Sequence, residues 1–484
     1  MADVPLQLGP WEPDRAPHMS PALTEAVNVL RVAGAYTPMP SILEETGVTL
    51  PSAARALFSV PLPNNTPLIY AATTTKIYRI DPGSTVQVYD AGSIAPDYWS
   101  FAQFAGRTIA VNLYVNPQGA LPTAPFAALG GTPPRAKVCA VVDGNFLVLG
   151  NLQNDGIDGY QPNRIRWSGF GNPDTWGTSV GTQADFNQMP DEGGSVVAIT
   201  GGETGTVFQR KMITRMQYVG LPNVFTFTTV ERARGAVSAG AVCSVGDLVF
   251  FYSDDGFYVW NGVNATPIGT GRVDDWFRSR LDHSRLDAII SGFDPVTRCV
   301  FWGFPELASS TIQTMIVFSL GDQQWTSVSM PIEVIAASAS LPRTLESMPT
   351  PDTFGGSFDD PAFAGGVPIL AGIDSSHTYG AFTGSNLAST ITTGDFQVAP
   401  GARAIISSVR PIIDSPNVKV SLGLKNQTTA DTPAWTPAVP INVMGIAPMR
   451  ANARFVSYRM ETPANDSWTR ATGMEIGAKG GGWR

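Results

Sequence analysis

The chain has little charge, few cysteines and no long hydrophobic run. Asp, Glu, Lys and Arg make up 15% of it, against about 25% in ordinary soluble domains. No stretch reaches the roughly 18 apolar residues that a membrane-spanning helix needs. The N-terminus, MADVPLQLGPWEPD, has no basic segment followed by an apolar one, so it does not read as a signal peptide. Synthesis in a cytoplasm without a membrane anchor is the expectation. The three cysteines, Cys139, Cys243 and Cys299, lie far apart beside Val138, Val242 and Val300. They fit no CxxC spacing and leave one unpaired, so buried free thiols are expected. The three histidines, His18, His283 and His377, are equally scattered.

Signatures of catalysis are missing too. There is no GxxxxGK[ST] loop to cradle phosphate and no HExxH to hold zinc. Ala236 to Gly240, AVSAG, lacks the first glycine of a nucleophile elbow. The acid pairs Asp155/Asp158 and Asp359/Asp360 sit in Gly- or Pro-rich segments and read as turn acids. A glycosidase needs two carboxyls facing each other across a cleft. Asn154 to Gly159 could be a calcium loop, but no glutamate stands at the bidentate position. No enzyme, metal or cofactor is expected.

What is abundant is turn chemistry. Glycine and proline number 49 and 39 in 484 residues, above the usual ~12% combined. They punctuate apolar or aromatic runs of 4–8 residues, the signal of short strands and hairpins. LIYAATTTKIYRIDPGSTVQVYDAG reads as strand, turn, strand, turn, strand. Similar units begin near residues 68, 105, 143, 196, 247, 292 and 367. Most gaps match the roughly 40–50 residues of a propeller blade. The fold class is therefore mainly β: a β-propeller of about six to eight irregular blades, with an array of β-sandwiches as the competing architecture. Asn261-Gly262 marks a two-residue hairpin. Asp274 to Leu281 reads as a short helix with its acids at the favourable end.

Three regions follow. Residues 1–65 form an N-terminal arm punctuated by Pro38, Pro40, Pro51, Pro61 and Pro63 and largely irregular. Within it AVNVLRV fits a strand slightly better than a helix, because valines dominate. Residues 66–398 form the propeller-like domain, with an inserted loop at 340–366. Residues 399–484 form C-terminal β-strands, expected to make a platform with the arm.

Ser253 to Trp260, SDDGFYVW, resembles the Asp-box hairpin of sialidase propellers, one residue short and with valine for threonine. In such a hairpin the carboxylate accepts N–H bonds in the turn and the tryptophan packs between blades. Asp255, Gly256 and Trp260, with Trp276 and Trp325, are thus the structural hairpin candidates, and none is catalytic.

Net charge is −9. Holding nucleic acid through its phosphates needs clustered Lys and Arg, so a DNA-wrapping protein is disfavoured. An acidic wall favours sliding over sticking. The last 35 residues run the other way. Arg450, Arg454, Arg459, Arg470, Lys479 and Arg484 outnumber Glu461, Asp466 and Glu475. Arg450, Arg454, Arg459 and Arg484 are the candidate interface tail.

The order of these features carries a resemblance. AVNVLRVAGAYTPMPSI precedes the first blade. RARGAVSAGAVCSVGDLVFFYSDDGFYVWNGVNATPIGTGRVDDWF lies mid-chain, and CVFWGFP with MIVFSLGDQQWTSV follows. The chain resembles the tail-hub or nozzle proteins of short-tailed bacteriophages, also called packaged-DNA stabilisation proteins. The likeness is diffuse, covers most of the chain and rests on element order with Gly235, Gly246, Gly256, Tyr258, Pro267, Ile268, Trp276 and Trp325. It implies a homo-hexameric ring in the virion tail, below the portal and its adaptor. Such a ring retains packaged DNA and conducts it during ejection without sequence-specific binding. It also implies contact with a tail fibre or spike, for which no motif is visible. The alternative is a glycan-binding or glycan-hydrolysing propeller protein.

Overall fold

The computed structural model describes residues 2–18, 20–62, 67–156, 158–307, 309–341, 365–399, 402–426 and 432–480. Most of the expected inserted loop, 342–364, and Arg484 lie outside the described residues, as do Asp359 and Asp360. The chain is mainly β, built from many small antiparallel sheets.

Five sheets each contain four consecutive strands. They span Ala56–Asp90, Ser100–Ala128, Ala136–Gln188, Val196–Glu231 and Val242–Pro267. A sixth comprises Ile290–Asp294, Cys299–Pro305, Ile312–Ser319 and the first half of Gln324–Ala339. That last strand runs for 16 residues. Its first half pairs with Ile312–Ser319, and from Ile332 onward it pairs with Pro368–Asp374. Thr378–Ala381 adds to Pro368–Asp374, and Leu43–Thr49 adds to Thr378–Ala381. The final four-stranded sheet therefore takes its outer strand from the beginning of the chain.

The first strands of successive sheets pack side by side. Ala56–Pro61 meets Ser100–Phe104, which meets Ala136–Val142, which meets Val196–Thr200. Val242–Val245 meets Ile290–Asp294, which meets Gln324–Ala339, and that strand returns to Ala56–Pro61. Sheets stacked this way bury both faces of their middle strands. Pro67–Ala72, Phe146–Leu152 and Cys299–Pro305 are buried at every position, which is why they read as continuous apolar runs. Outer strands such as Ser84–Asp90 are mostly exposed. All three cysteines are free and buried.

The remaining strands form a two-sheet sandwich. One sheet orders Val29–Val32, Ala35–Pro38, Ala471–Gly480, Ala404–Ile413 and Ala447–Ala453, with Ala2–Gln7 also on Ala471–Gly480. The other orders Leu23–Val27, Ser389–Thr393, Phe455–Thr462 and Lys419–Lys425. Ile406, Val409, Met449 and Met474 face Ile391, Leu422, Val456 and Tyr458 in one core. That core continues into Tyr252, Phe257, Trp302 and Trp325 of the stacked sheets and Phe277 of the helix Asp274–Arg280.

Three expectations need correction. The segment 38–62 is not largely irregular, because it supplies the strands Leu43–Thr49 and Ala56–Pro61. Pro38 and Pro61 stand at strand ends and Pro51 just beyond one, where a missing N–H costs no ladder bond. Asn261-Gly262 does not make a two-residue hairpin either. Trp260 pairs with Ala265, so four residues form the loop. Asn261 Oδ1 there accepts the N–H groups of Val263 and Asn264 at 3.0 and 2.9 Å. Several expected units also begin one strand late. The first sheet opens at Ala56 and not near 68, the second at Ser100 and the third at Ala136.

Candidate functional site: the hairpin–helix junction and the sandwich face

The hairpin Leu248–Ser253/Gly256–Trp260 and the helix Asp274–Arg280 meet where the stacked sheets join the sandwich. Gly256 has φ +147°, and a Cβ there would lie 2.3 Å from Asp274 Oδ2. Gly269 is equally tight, with a Cβ position 2.0 Å from Asp274 Oδ1. Only glycine lets the carboxylate sit between these two backbone segments. Asp274 Oδ1 accepts the Phe257 N–H at 3.1 Å. The turn N–H is therefore satisfied by the helix, and not by the hairpin's own Asp255 as the Asp-box comparison implies. Burial pushes the Asp274 carboxyl up to about 6, partly opposed by the Phe257 hydrogen bond.

Asp255 faces outward. It accepts Arg234 Nε at 2.9 Å and the Tyr258 hydroxyl at 2.8 Å. Burial alone would raise its pKa, but these two donors outweigh it and hold the carboxyl below the usual range. Trp260 is fully buried and donates Nε1–H to Thr206 Oγ1 at 3.3 Å. Thr206 belongs to the preceding sheet, so this tryptophan packs between the two. Trp325 donates to the Ile268 carbonyl at 3.0 Å and packs on Phe257, Trp302 and Phe318. Trp276 sits edge-on to Trp11 with Arg280 over its ring. The structure thus gathers Asp255, Gly256, Trp276 and Trp325 around one junction, with Trp260 on its far side.

The N-terminal segment closes this junction. Asp14 accepts the N–H groups of Asp275 at 2.9 Å and Trp276 at 2.7 Å, capping the helix from 261 and 262 residues away in sequence. Such a cap satisfies orphan donors and complements the helix dipole. Glu12, buried, pairs with Arg15 and Arg272. No local pattern ties Asp14 to this helix, so sequence reasoning had only a lone acid in a proline-rich stretch. Asn28 was missed likewise. At φ +58° it turns the chain from one sandwich sheet to the other, donating to the Ala388 carbonyl and accepting from Ser329 N–H. The AVNVLRV run is consequently two strands, Leu23–Val27 and Val29–Val32.

Three acids elsewhere are held by basic or hydroxyl side chains. Asp155 accepts from Arg164 and Arg166, and Asp158 from Arg164. Asp395 is buried with Lys425 at 2.5 Å and Ser457 at 2.5 Å. Among the described residues no group of three or more His, Cys, Asp or Glu side chains could hold a metal ion. Among the described residues no helix is long and apolar enough to cross a membrane.

The candidate tail arginines do not share one face. Arg450 is exposed on the outer side of one sandwich sheet. Arg459 lies on the other sheet, where it pairs with Glu25 and covers Trp435. Arg454, exposed, lies over Phe455. The outer face carrying Arg450 also exposes Ile405 and Ile412, at 47% and 44%. Beside it, the turn before Ala447 holds Val443 wholly exposed and Met444 at 70%. A cavity of about 540 Å³ opens between the fifth and sixth sheets, lined mainly by apolar side chains including Leu248, Phe250, Phe318 and Leu320.

No family model matches the chain, and no curated protein matches it. Among solved structures, BBS1N in complex with ARL6DN aligns with 71% of this chain and 96% of its own. The identity is 10% and the TM-score 0.41.

Proposed function

We propose that this chain is a structural ring subunit of the tail-hub or nozzle type found in short-tailed phage virions. In this reading seven four-stranded sheets are the blades of a propeller, and Leu43–Thr49 closes its last blade. The sandwich is the platform on which six copies assemble below the portal adaptor. The acidic balance of the chain keeps the channel wall from gripping the DNA that passes.

The observation that carries the reading is the weaving of both chain ends into one sandwich. Strands from residues 2–38 and 404–480 share a sheet, and its outer face exposes Ile405 and Ile412 beside Arg410, Arg450 and Glu475. A part that transmits force needs both ends tied down and a face for its copies. The competing reading, a glycan-active propeller, needs carboxylates free to face a sugar. Asp155 and Asp158 are instead held by arginines.

Electron microscopy of the purified protein tests this. Six-fold rings with an axial channel are expected. Isolated particles of single-chain size at every concentration would sink the proposal.

A further inference from the structure

The turn at Val443–Met444 is built rigidly yet buries nothing. Asn442 Oδ1 accepts the N–H of Met444 at 2.9 Å and of Ile446 at 3.1 Å. The Asn442 N–H reaches the Ile446 carbonyl at 2.9 Å, and the Gly445 N–H reaches the Asn442 carbonyl at 2.8 Å. Gly445 takes φ +72°, which glycine adopts without strain. Four hydrogen bonds thus hold two large apolar side chains out in water. From Val439 to Pro448, VPINVMGIAP, there is not one charge. Scattered exposed apolar residues are ordinary. A locked, uncharged turn that presents two adjacent ones is not, because preorganisation lowers the ordering cost of binding.

The same chain carries an empty counterpart. The cavity between the fifth and sixth sheets has room for two aliphatic side chains, at about 540 Å³. Of its twelve lining residues only Arg272 and Arg298 are charged. None of residues 439–446 lines it, so the turn of a copy does not fill the cavity of that copy. An apolar knob and an apolar hole at different places on one chain make a heterologous contact. Repeated from copy to copy, such a contact generates a ring when the rotation closes.

We infer that Val443 and Met444 of one copy insert into the cavity beside Leu248 and Phe318 of the next copy. This deepens the ring proposal and rests on it. A second copy is the favoured occupant because seven of the twelve residues that line the hole are apolar, as the knob is, and neither is matched within the protomer among the described residues. A lipid surface is the rival for an uncharged apolar tip, and it has no use for the hole.

Cysteine cross-linking tests the pairing. The three native cysteines are buried, so new surface thiols report alone. Met444→Cys combined with Leu248→Cys in one chain should give an oxidised ladder on denaturing gels. Each single variant alone should give none, and the two single variants mixed should stop at dimers. Independently, Val443→Asp/Met444→Asp should weaken self-association at least tenfold while circular dichroism shows the wild-type fold. An oligomeric wild type with no ladder, or with an unaffected tip variant, overturns the knob-and-hole contact and leaves the ring standing. A monomeric wild type at all concentrations overturns both. Tip-dependent co-sedimentation with phosphatidylcholine/phosphatidylglycerol vesicles, without self-association, overturns the pairing in favour of a membrane.

Discussion

The stacked sheets and the sandwich solve the same burial problem differently. In the stacked region each sheet has a neighbour on both sides, and middle strands such as Phe146–Leu152 are buried at every residue. In the sandwich the sheet that carries Ala447–Ala453 has an open face, and this strand alternates strictly between buried and exposed. A continuous apolar run therefore marks a strand whose surroundings are complete within the chain. An alternating strand with isoleucines on its open side, as at Ile405 and Ile412, marks a surface still free for a partner. Burial is complete around the middle strands of the first region, whereas the second keeps an open face.

That contrast is broken most severely at the junction core. Trp302 is fully buried against Phe257 and Trp325, and Trp302→Ala is expected to cost about 3–5 kcal/mol. Denaturant titration checks it, and stacked sheets and sandwich should unfold together, because one core joins them.

Asp274 gives the next effect, with a defined sign. Its folded pKa is about 6 against 3.8 for the free side chain. The native state therefore holds this proton more tightly, and the stability contributed by this group falls as pH rises from 3.8 to about 6. Asp274→Asn keeps an acceptor for the Phe257 N–H and removes the buried charge. It should raise stability by up to about 3 kcal/mol at pH 8 and change little at pH 4. Paired melts at the two pH values decide it; equal effects at both would refute the buried-charge explanation.

A smaller loss is expected when the N-terminal cap is removed. Asp14→Ala should cost about 1 kcal/mol, and proteolysis should then begin at the N-terminal segment. Smallest of all is Ile405→Ala on the open face, expected within about 0.5 kcal/mol of wild type. If Ile405→Ala destabilised the isolated chain as Trp302→Ala does, the division between the two regions would fail.

Much of the strand content was legible in the sequence. The short apolar runs between Gly, Asn, Asp and Pro reported it directly, and the helix at Asp274 was marked by its acids. The phase of the repeat was harder. Inner strands such as Ala56–Pro61 and Ser100–Phe104 follow loops, so the second strands beside them dominate the pattern. Partnerships across hundreds of residues left no local trace. Leu43–Thr49 is mostly exposed and looked like loop, yet it completes the sheet of Thr378–Ala381. The crossing of Gln324–Ala339 between two sheets and the cap from Asp14 are invisible for the same reason. Of the hairpin candidates, Gly256 was singled out for its turn. Its tighter requirement, room for the Asp274 carboxylate, is a three-dimensional fact.

Native mass spectrometry of the wild-type protein across a concentration series tests the ring proposal most directly. A species of about 308 kDa, six times the 51.4 kDa chain, is expected to dominate at micromolar concentration. A 51.4 kDa species that persists alone to the highest concentration would contradict it.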